Sequence, residues 1–130
     1  KDSSYNLFEK LRIKNFLMFP GTEAKLLNGL ELGCAGCISA ITNVTHSLAR
    51  KVFDDFEKQI KQTHNERLIK VRKIFDNYNL ISALHSYMSE KDKNFSNLLP
   101  PLVLLNNDEK NELLNQLKKL QLKASGELAA

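Results

Sequence analysis

Apolar positions along this chain follow two different patterns, and the change falls near residue 47. Before that point, short apolar runs stop at turn residues. Residues 16–19 read Phe-Leu-Met-Phe and end at Pro20-Gly21, and residues 35–41 carry no charge between Gly33 and the polar pair Thr42-Asn43. Runs of this length bounded by turn residues predict strands buried on both faces, as in a parallel sheet. Helical spacing lies between them. Residues 6–14 place Leu7, Leu11 and Phe8 toward one face, with Ser3 or Ser4 as N-cap. Residues 23–32 turn Leu26, Leu27 and Leu30 inward, with Thr22 as the cap and Gly33 as the C-terminal stop.

After residue 47 the spacing is helical throughout. Leu48, Val52, Phe53, Phe56 and Ile60 line one face of a helix to about residue 62. Residues 65–78 repeat the pattern with Leu68, Ile69, Val71, Ile74 and Phe75, and residues 80–88 do so with Leu84, Tyr87 and Met88. Residues 90–105 form one long connection, in which Pro100-Pro101 excludes a helix. Asn107 or Asp108 caps a last helix to about Leu122, with Leu113, Leu114, Leu117 and Leu120 inward. Residues 123–130 show no period and read as a loose tail. The order is helix, strand, helix, strand, then helices only. This is the βα alternation of an α/β domain, with too few strands for a sheet of its own. The missing strands are expected before Lys1, where the chain opens without Met.

At 130 residues the chain is at most one domain. It is 42% hydrophobic and 26% charged, which is globular rather than disordered material. The net charge of +4 is scattered along helices, with no basic block to suggest nucleic acid. No apolar run approaches the roughly 18 residues that span a bilayer. Two cysteines without a disulfide framework suggest a reducing, cytoplasmic setting.

Cys34-Ala35-Gly36-Cys37 has the spacing of redox dithiols and zinc knuckles. The pair straddles the start of a strand rather than a helix, and no second pair completes a zinc site. It reads first as two small buried apolar side chains, with redox or metal use as the competing reading. His46, His64 and His85 share no ligand spacing, and Asp54, Asp55 and Glu57 fall on the polar side of a helix. No metal and no cofactor are expected.

The polar residues that follow each apolar run carry more. Lys1 to Ser4, Pro20 to Glu23 and Thr42-Asn43 occupy matching places in successive units. Parallel strands bring such ends to one edge, where α/β folds bind ligands. A desolvated lysine there becomes a neutral amine able to attack a ketone. The competing reading is an ordinary surface lysine.

The same stretches resemble the dihydrodipicolinate synthase/N-acetylneuraminate lyase family. The resemblance rests on Lys1-Asp2-Ser3-Ser4, on Phe19-Pro20-Gly21-Thr22-Glu23-Ala24, and on Gly36-Cys37-Ile38-Ser39-Ala40 with Asn43. Pro100-Pro101-Leu102 before Asn107-Asp108-Glu109 continues it. It implies an α/β fold: the C-terminal part of a (β/α)8 barrel, strands seven and eight, followed by extra C-terminal helices. On that basis residues 1–62 are βα units of a partial barrel and residues 63–122 a helical extension.

The resemblance further implies a class I aldolase or lyase. Lys1 stands at the Schiff-base lysine that condenses with pyruvate, and the enamine then meets an aldehyde. Gly21, Thr22 and Glu23 match the loop lining the substrate pocket, with Glu23 similar to an acid that holds sugar hydroxyls. Ile38 matches a residue whose carbonyl faces pyruvate, and Ala40 stands where sialate lyases often have Ser. Ala40 and Leu99, the latter where an Arg is frequent, depart from that pattern, and the family's carboxylate-binding threonines and proton-shuttling tyrosine belong to earlier strands. A 2-keto-3-deoxy sugar acid is therefore the expected substrate. 4-Hydroxy-tetrahydrodipicolinate synthase and a non-catalytic half-barrel remnant are the alternatives. The implied partners are pyruvate, an aldehyde and, in the intact protein, further copies of itself. The chain alone is expected to be inactive.

Overall fold

The computed structural model describes residues 1–4, 6–10 and 13–121. They fall into two compact units, Lys1–Ile69 and Lys70–Ala130.

The first unit is organised on three extended segments. Residues 18–21 lie in the middle, and their carbonyl groups alternate in direction, as in any extended chain. The carbonyls of Met18 and Pro20 accept from the backbone N–H groups of Ala35 (3.1 Å) and Ile38 (3.0 Å). The Phe19 carbonyl faces the other way and accepts from the Asp2 N–H at 2.8 Å, while Gly21 donates to the Asp2 carbonyl at 2.8 Å. The result is a parallel bridge between Asp2 and Pro20.

The expected strands 16–19 and 35–40 are extended segments rather than strands, and no strand occurs among the described residues. The geometry explains this. From Ala35 to Ile38 one segment advances three residues while its neighbour advances two, from Met18 to Pro20, so one residue is extra, as in a bulge. Gly36 sits inside that step at φ +146°, a conformation open to glycine. Pro20 has no N–H to extend the ladder. Phe16 and Leu17, expected to be buried, are 56% and 68% exposed.

Helix α1 (Leu26–Glu31) follows a 3₁₀ turn at Glu23–Lys25, and Gly33 at φ +84° ends the connection as expected. Helix α2 (Thr42–Glu57) begins five residues before the change of pattern near 47 and stops short of Ile60, which is exposed. Thr42 and Asn43 looked like a closing turn because both favour side-chain bonds to nearby backbone. They make those bonds, to the carbonyls of Ser39 and Ala40, while the helix starts through them. Leu26, Leu30, Leu48, Val52 and Leu68 form the core of this unit, each burial contributing about 1.5–3 kcal/mol.

Of the helix expected over 6–14, the described residues show a 3₁₀ turn, Leu7–Glu9, in which Phe8 rather than Leu7 is buried. Ser4 does not cap it but donates to the Asp2 carboxylate. Leu11 lies outside the described residues.

Helix α3 (Asn65–Phe75) contributes Val71 and Phe75 to the second unit, where Phe75 meets Tyr87 of α4 (Leu80–Met88) edge to face, 6.1 Å between ring centres. Helix α5 (Asn107–Lys119) is closed by a capping box: the Asn106 side chain accepts from the Glu109 N–H, and the Glu109 carboxylate accepts from the Asn106 N–H. It buries Leu113 and Leu117 fully. The connection before it holds a 3₁₀ turn, Lys93–Ser96, and its end is fixed where the Leu105 N–H donates to the Ser86 hydroxyl at 2.9 Å. Leu122 and residues 123–130 lie outside the described residues.

Candidate functional site

The three extended segments run parallel where they pair, so their carboxyl ends share an edge. That edge gathers Lys1 and Asp2, the loop Gly21-Thr22-Glu23, and the stretch from Ile38 to Thr42.

Asp2 makes the first connection. Its backbone is held on both sides by Phe19 and Gly21, and the residue is 3% exposed. Oδ1 accepts from the Ser4 N–H and hydroxyl, and Oδ2 accepts from the Phe8 N–H at 2.9 Å. Burial pushes this carboxyl up, but the Ser4 hydroxyl and the N–H groups of Phe8, Ser4 and Leu7 outweigh it and hold the group below its ordinary value. The adjoining Lys1 is exposed, so this chain does not desolvate it.

The loop that follows is buried from Gly21 to Glu23. Thr22 caps the turn after it, its Oγ1 accepting from the Ala24 N–H at 3.3 Å. Glu23 has no exposed surface, and the Ser39 hydroxyl donates to its Oε2 across sixteen residues of chain. Ile38 is joined to the same loop through Pro20 but leaves its side chain 49% exposed. The half-buried Ala40 accepts from Asn43 at the start of α2.

Lys1 is thus tied to Gly21 through Asp2, Gly21 leads to Glu23, and Glu23 is bonded to Ser39 between Ile38 and Ala40. Thr22 and Glu23, expected to face a substrate, lie beneath the surface of this chain. Asp2 and Ser39 belong to the stretches that carry the family resemblance, but no role is expected for either from it. An Asp two places before a Ser is the pattern of an Asx turn, and a Ser inside an uncharged run needs a buried partner.

Cys34 and Cys37 are free thiols. Cys34 packs with Phe8 and Met18, and Cys37 packs against the core of the first unit. Burial, and after it the Glu23 carboxylate, push the Cys37 thiol up to about 11. An activated redox thiol shifts the other way. Cys37 also lines a cleft of about 340 Å³ with Phe19, His46, Arg50 and Phe53. Of the other histidines, His64 Nδ1 lies 3.5 Å from the Asp55 carboxylate, and His85 Nδ1 donates to the Phe95 carbonyl at 2.8 Å. Asp55 is therefore less solvated than its helical position suggests, with 15% of its side chain exposed. Among the described residues no cluster of three or more His, Cys, Asp or Glu side chains is placed to hold a metal, and no helix is long and apolar enough to cross a membrane.

The sequence pattern of the dihydrodipicolinate synthetase family matches residues 2–120. No curated protein matches the chain. Among solved structures, YagE is similar over 83% of this chain and 38% of its own, with a TM-score of 0.73 and 19% identity. YagE is a prophage protein from E. coli belonging to the dihydrodipicolinic acid synthase family, solved in complex with pyruvate. Dihydrodipicolinate synthase from Agrobacterium tumefaciens is similar over 82% of this chain and 36% of its own, with a TM-score of 0.58 and 16% identity. The likeness is one of fold, and the chain spans well under half the length of either structure.

Proposed function

The chain belongs to the dihydrodipicolinate synthetase family, and from that premise we propose that the intact protein is a Schiff-base-forming, pyruvate-dependent aldolase or lyase acting on a 2-keto-3-deoxy sugar acid. This chain is its C-terminal part. Residues 16–19 and 35–40 take the places of strands seven and eight of a (β/α)8 barrel, and the later helices form the extension. One observation carries the reading: the Asp2–Pro20 bridge sets Lys1 and the 21–23 loop on one edge.

The ε-amine of Lys1 attacks the keto carbon of pyruvate, and water leaves as the imine forms. The imine withdraws electrons from the neighbouring carbon, which loses a proton to give an enamine or, in the reverse direction, releases an aldehyde. Gly21 and Thr22 shape the pocket wall, the buried Glu23 supports it from beneath through Ser39, and Ile38 and Ala40 continue the same wall. Desolvation of Lys1 falls to the earlier strands of the intact protein, so the present chain performs no aldol cleavage by itself.

Borohydride reduction in the presence of pyruvate tests the proposal in the intact protein. The reduced adduct is expected on the ε-amine of Lys1, and Lys1→Arg abolishes it because a guanidinium offers no neutral nucleophile at pH 7. An adduct on another lysine, or none, overturns it; no adduct at all favours a non-catalytic half-barrel.

A further inference from the structure

Ser39 and Glu23 come from different segments, yet both side chains are buried and bonded to each other. Ser39 is 9% exposed and Glu23 has no exposed surface. Glu23 stands at the first turn after the loop that carries Gly21 and Thr22, and Ser39 stands between Ile38 and Ala40. A hydroxyl donating to a carboxylate forms a charge-assisted bond, about twice as strong as a neutral one and more demanding of geometry. Ala40 itself has no hydroxyl to offer.

We propose that Ser39 is the positioning residue for Glu23: its hydroxyl fixes the buried carboxylate and, through it, the Gly21–Glu23 loop that shapes the site of the second substrate. The assignment rests on the catalytic reading above for its consequence, but its geometry stands in this chain alone. Ser39 does not touch the substrate. It holds the acid in one orientation, so that the loop from Gly21 to Glu23 and the stretch from Ile38 to Ala40 act as one wall.

Cys37 provides the readout. Its thiol is pushed up by burial first and by the Glu23 carboxylate after it, so its reaction with a thiol reagent as a function of pH carries a part set by that charge. Mass spectrometry of the Cys37 peptide separates it from Cys34. His46 and Arg50, which line the cleft beside Cys37, are kept intact in every variant.

Ser39→Ala lets the carboxylate turn away, which weakens its field at Cys37. The titration of Cys37 is therefore expected to move down toward its ordinary value of 9.0. Ser39→Thr keeps the hydroxyl and restores the high value. In a Glu23→Gln background Ser39→Ala is expected to add nothing, which separates positioning from a general loosening of the fold. An unchanged titration in Ser39→Ala overturns the proposal, and so does an equal fall in the Glu23→Gln background. In the intact enzyme Ser39→Ala raises KM for a hydroxylated aldehyde by about tenfold, the effect of one oriented hydrogen bond to a charge, and Ser39→Thr recovers it; no rise overturns the specificity role. Failure to trap pyruvate in the unaltered protein overturns the catalytic reading instead and leaves the thiol comparison standing.

Discussion

Gly29 and Pro20 meet so closely that a Cβ on Gly29 would lie 2.7 Å from Cγ of the proline ring. The contact seats helix α1 on the middle extended segment, one residue before the loop that carries the candidate site. The ring cannot swing aside as a long flexible side chain would. Gly29→Ala is therefore expected to lower the stability of the chain by about 1–3 kcal/mol despite alanine's better helix propensity. Urea unfolding of the two proteins checks it; an increase in stability would show that the segment yields easily.

Asp2 should make stability depend on acid. Its carboxyl is held below the ordinary 3.8, so the folded state binds a proton less readily than the unfolded one. The stability it adds is present above about pH 3.8 and fades as the pH falls through the folded value. Urea midpoints measured down the acid range should drop less steeply in Asp2→Asn than in the unaltered chain. Equal slopes would remove Asp2 from the account.

Cys37 works in the opposite direction. Its thiol is pushed up from 9.0 to about 11, so the folded state keeps a proton that the unfolded chain gives up. That contribution is complete below about pH 9 and is lost as the pH rises toward 11. At neutral pH the native thiol should react far more slowly than in urea. Rapid native labelling would contradict the burial.

In the second unit, the capping box of α5 and the leucines below it can be weighed against each other. Asn106→Ala removes one acceptor for an orphan N–H and is expected to cost about 1 kcal/mol. Leu117→Ala empties a fully buried site and is expected to cost about 2–5 kcal/mol. Chemical denaturation distinguishes the two. If the cap outweighs the leucine, α5 owes its stability to its terminus rather than to its packing.

The helices were the most legible part of this chain. Residues 80–88 are helical from end to end as expected, and the inward positions Leu26, Leu30, Leu48, Val52, Leu68, Val71, Phe75, Leu113 and Leu117 are all buried. A 3.6-residue period repeated over several turns leaves little room for another reading. The apolar runs were less legible, because residues 16–19 and 35–40 show which residues avoid charge but not whether a regular ladder forms. That is decided by the ring of Pro20 and the extra residue near Gly36, which act between segments. Leu7 and Phe8 are adjacent, and periodicity over one short turn could not say which of them faces inward.

At the candidate site, the polar ends of the apolar runs were readable and their partnerships were not. Lys1, Gly21, Thr22, Glu23, Ile38 and Ala40 were placed by matching polar ends of apolar runs and by family resemblance. Nothing in their spacing announces that Glu23 meets Ser39 or that Asp2 folds back onto Ser4 and Phe8. Those bonds follow from tertiary placement.

The uneven ladder also sets how this edge opens. The N–H groups of Asp2, Gly21, Ala35 and Ile38 hold the three segments together, and all four bonds reach to or from the stretch between Met18 and Gly21. Breaking the middle segment away releases them together. Their deuterium uptake should then share one protection factor, set by a single cooperative opening. The edge that bears Lys1 and Ala40 would thus breathe as one unit, coming apart or closing without intermediate steps.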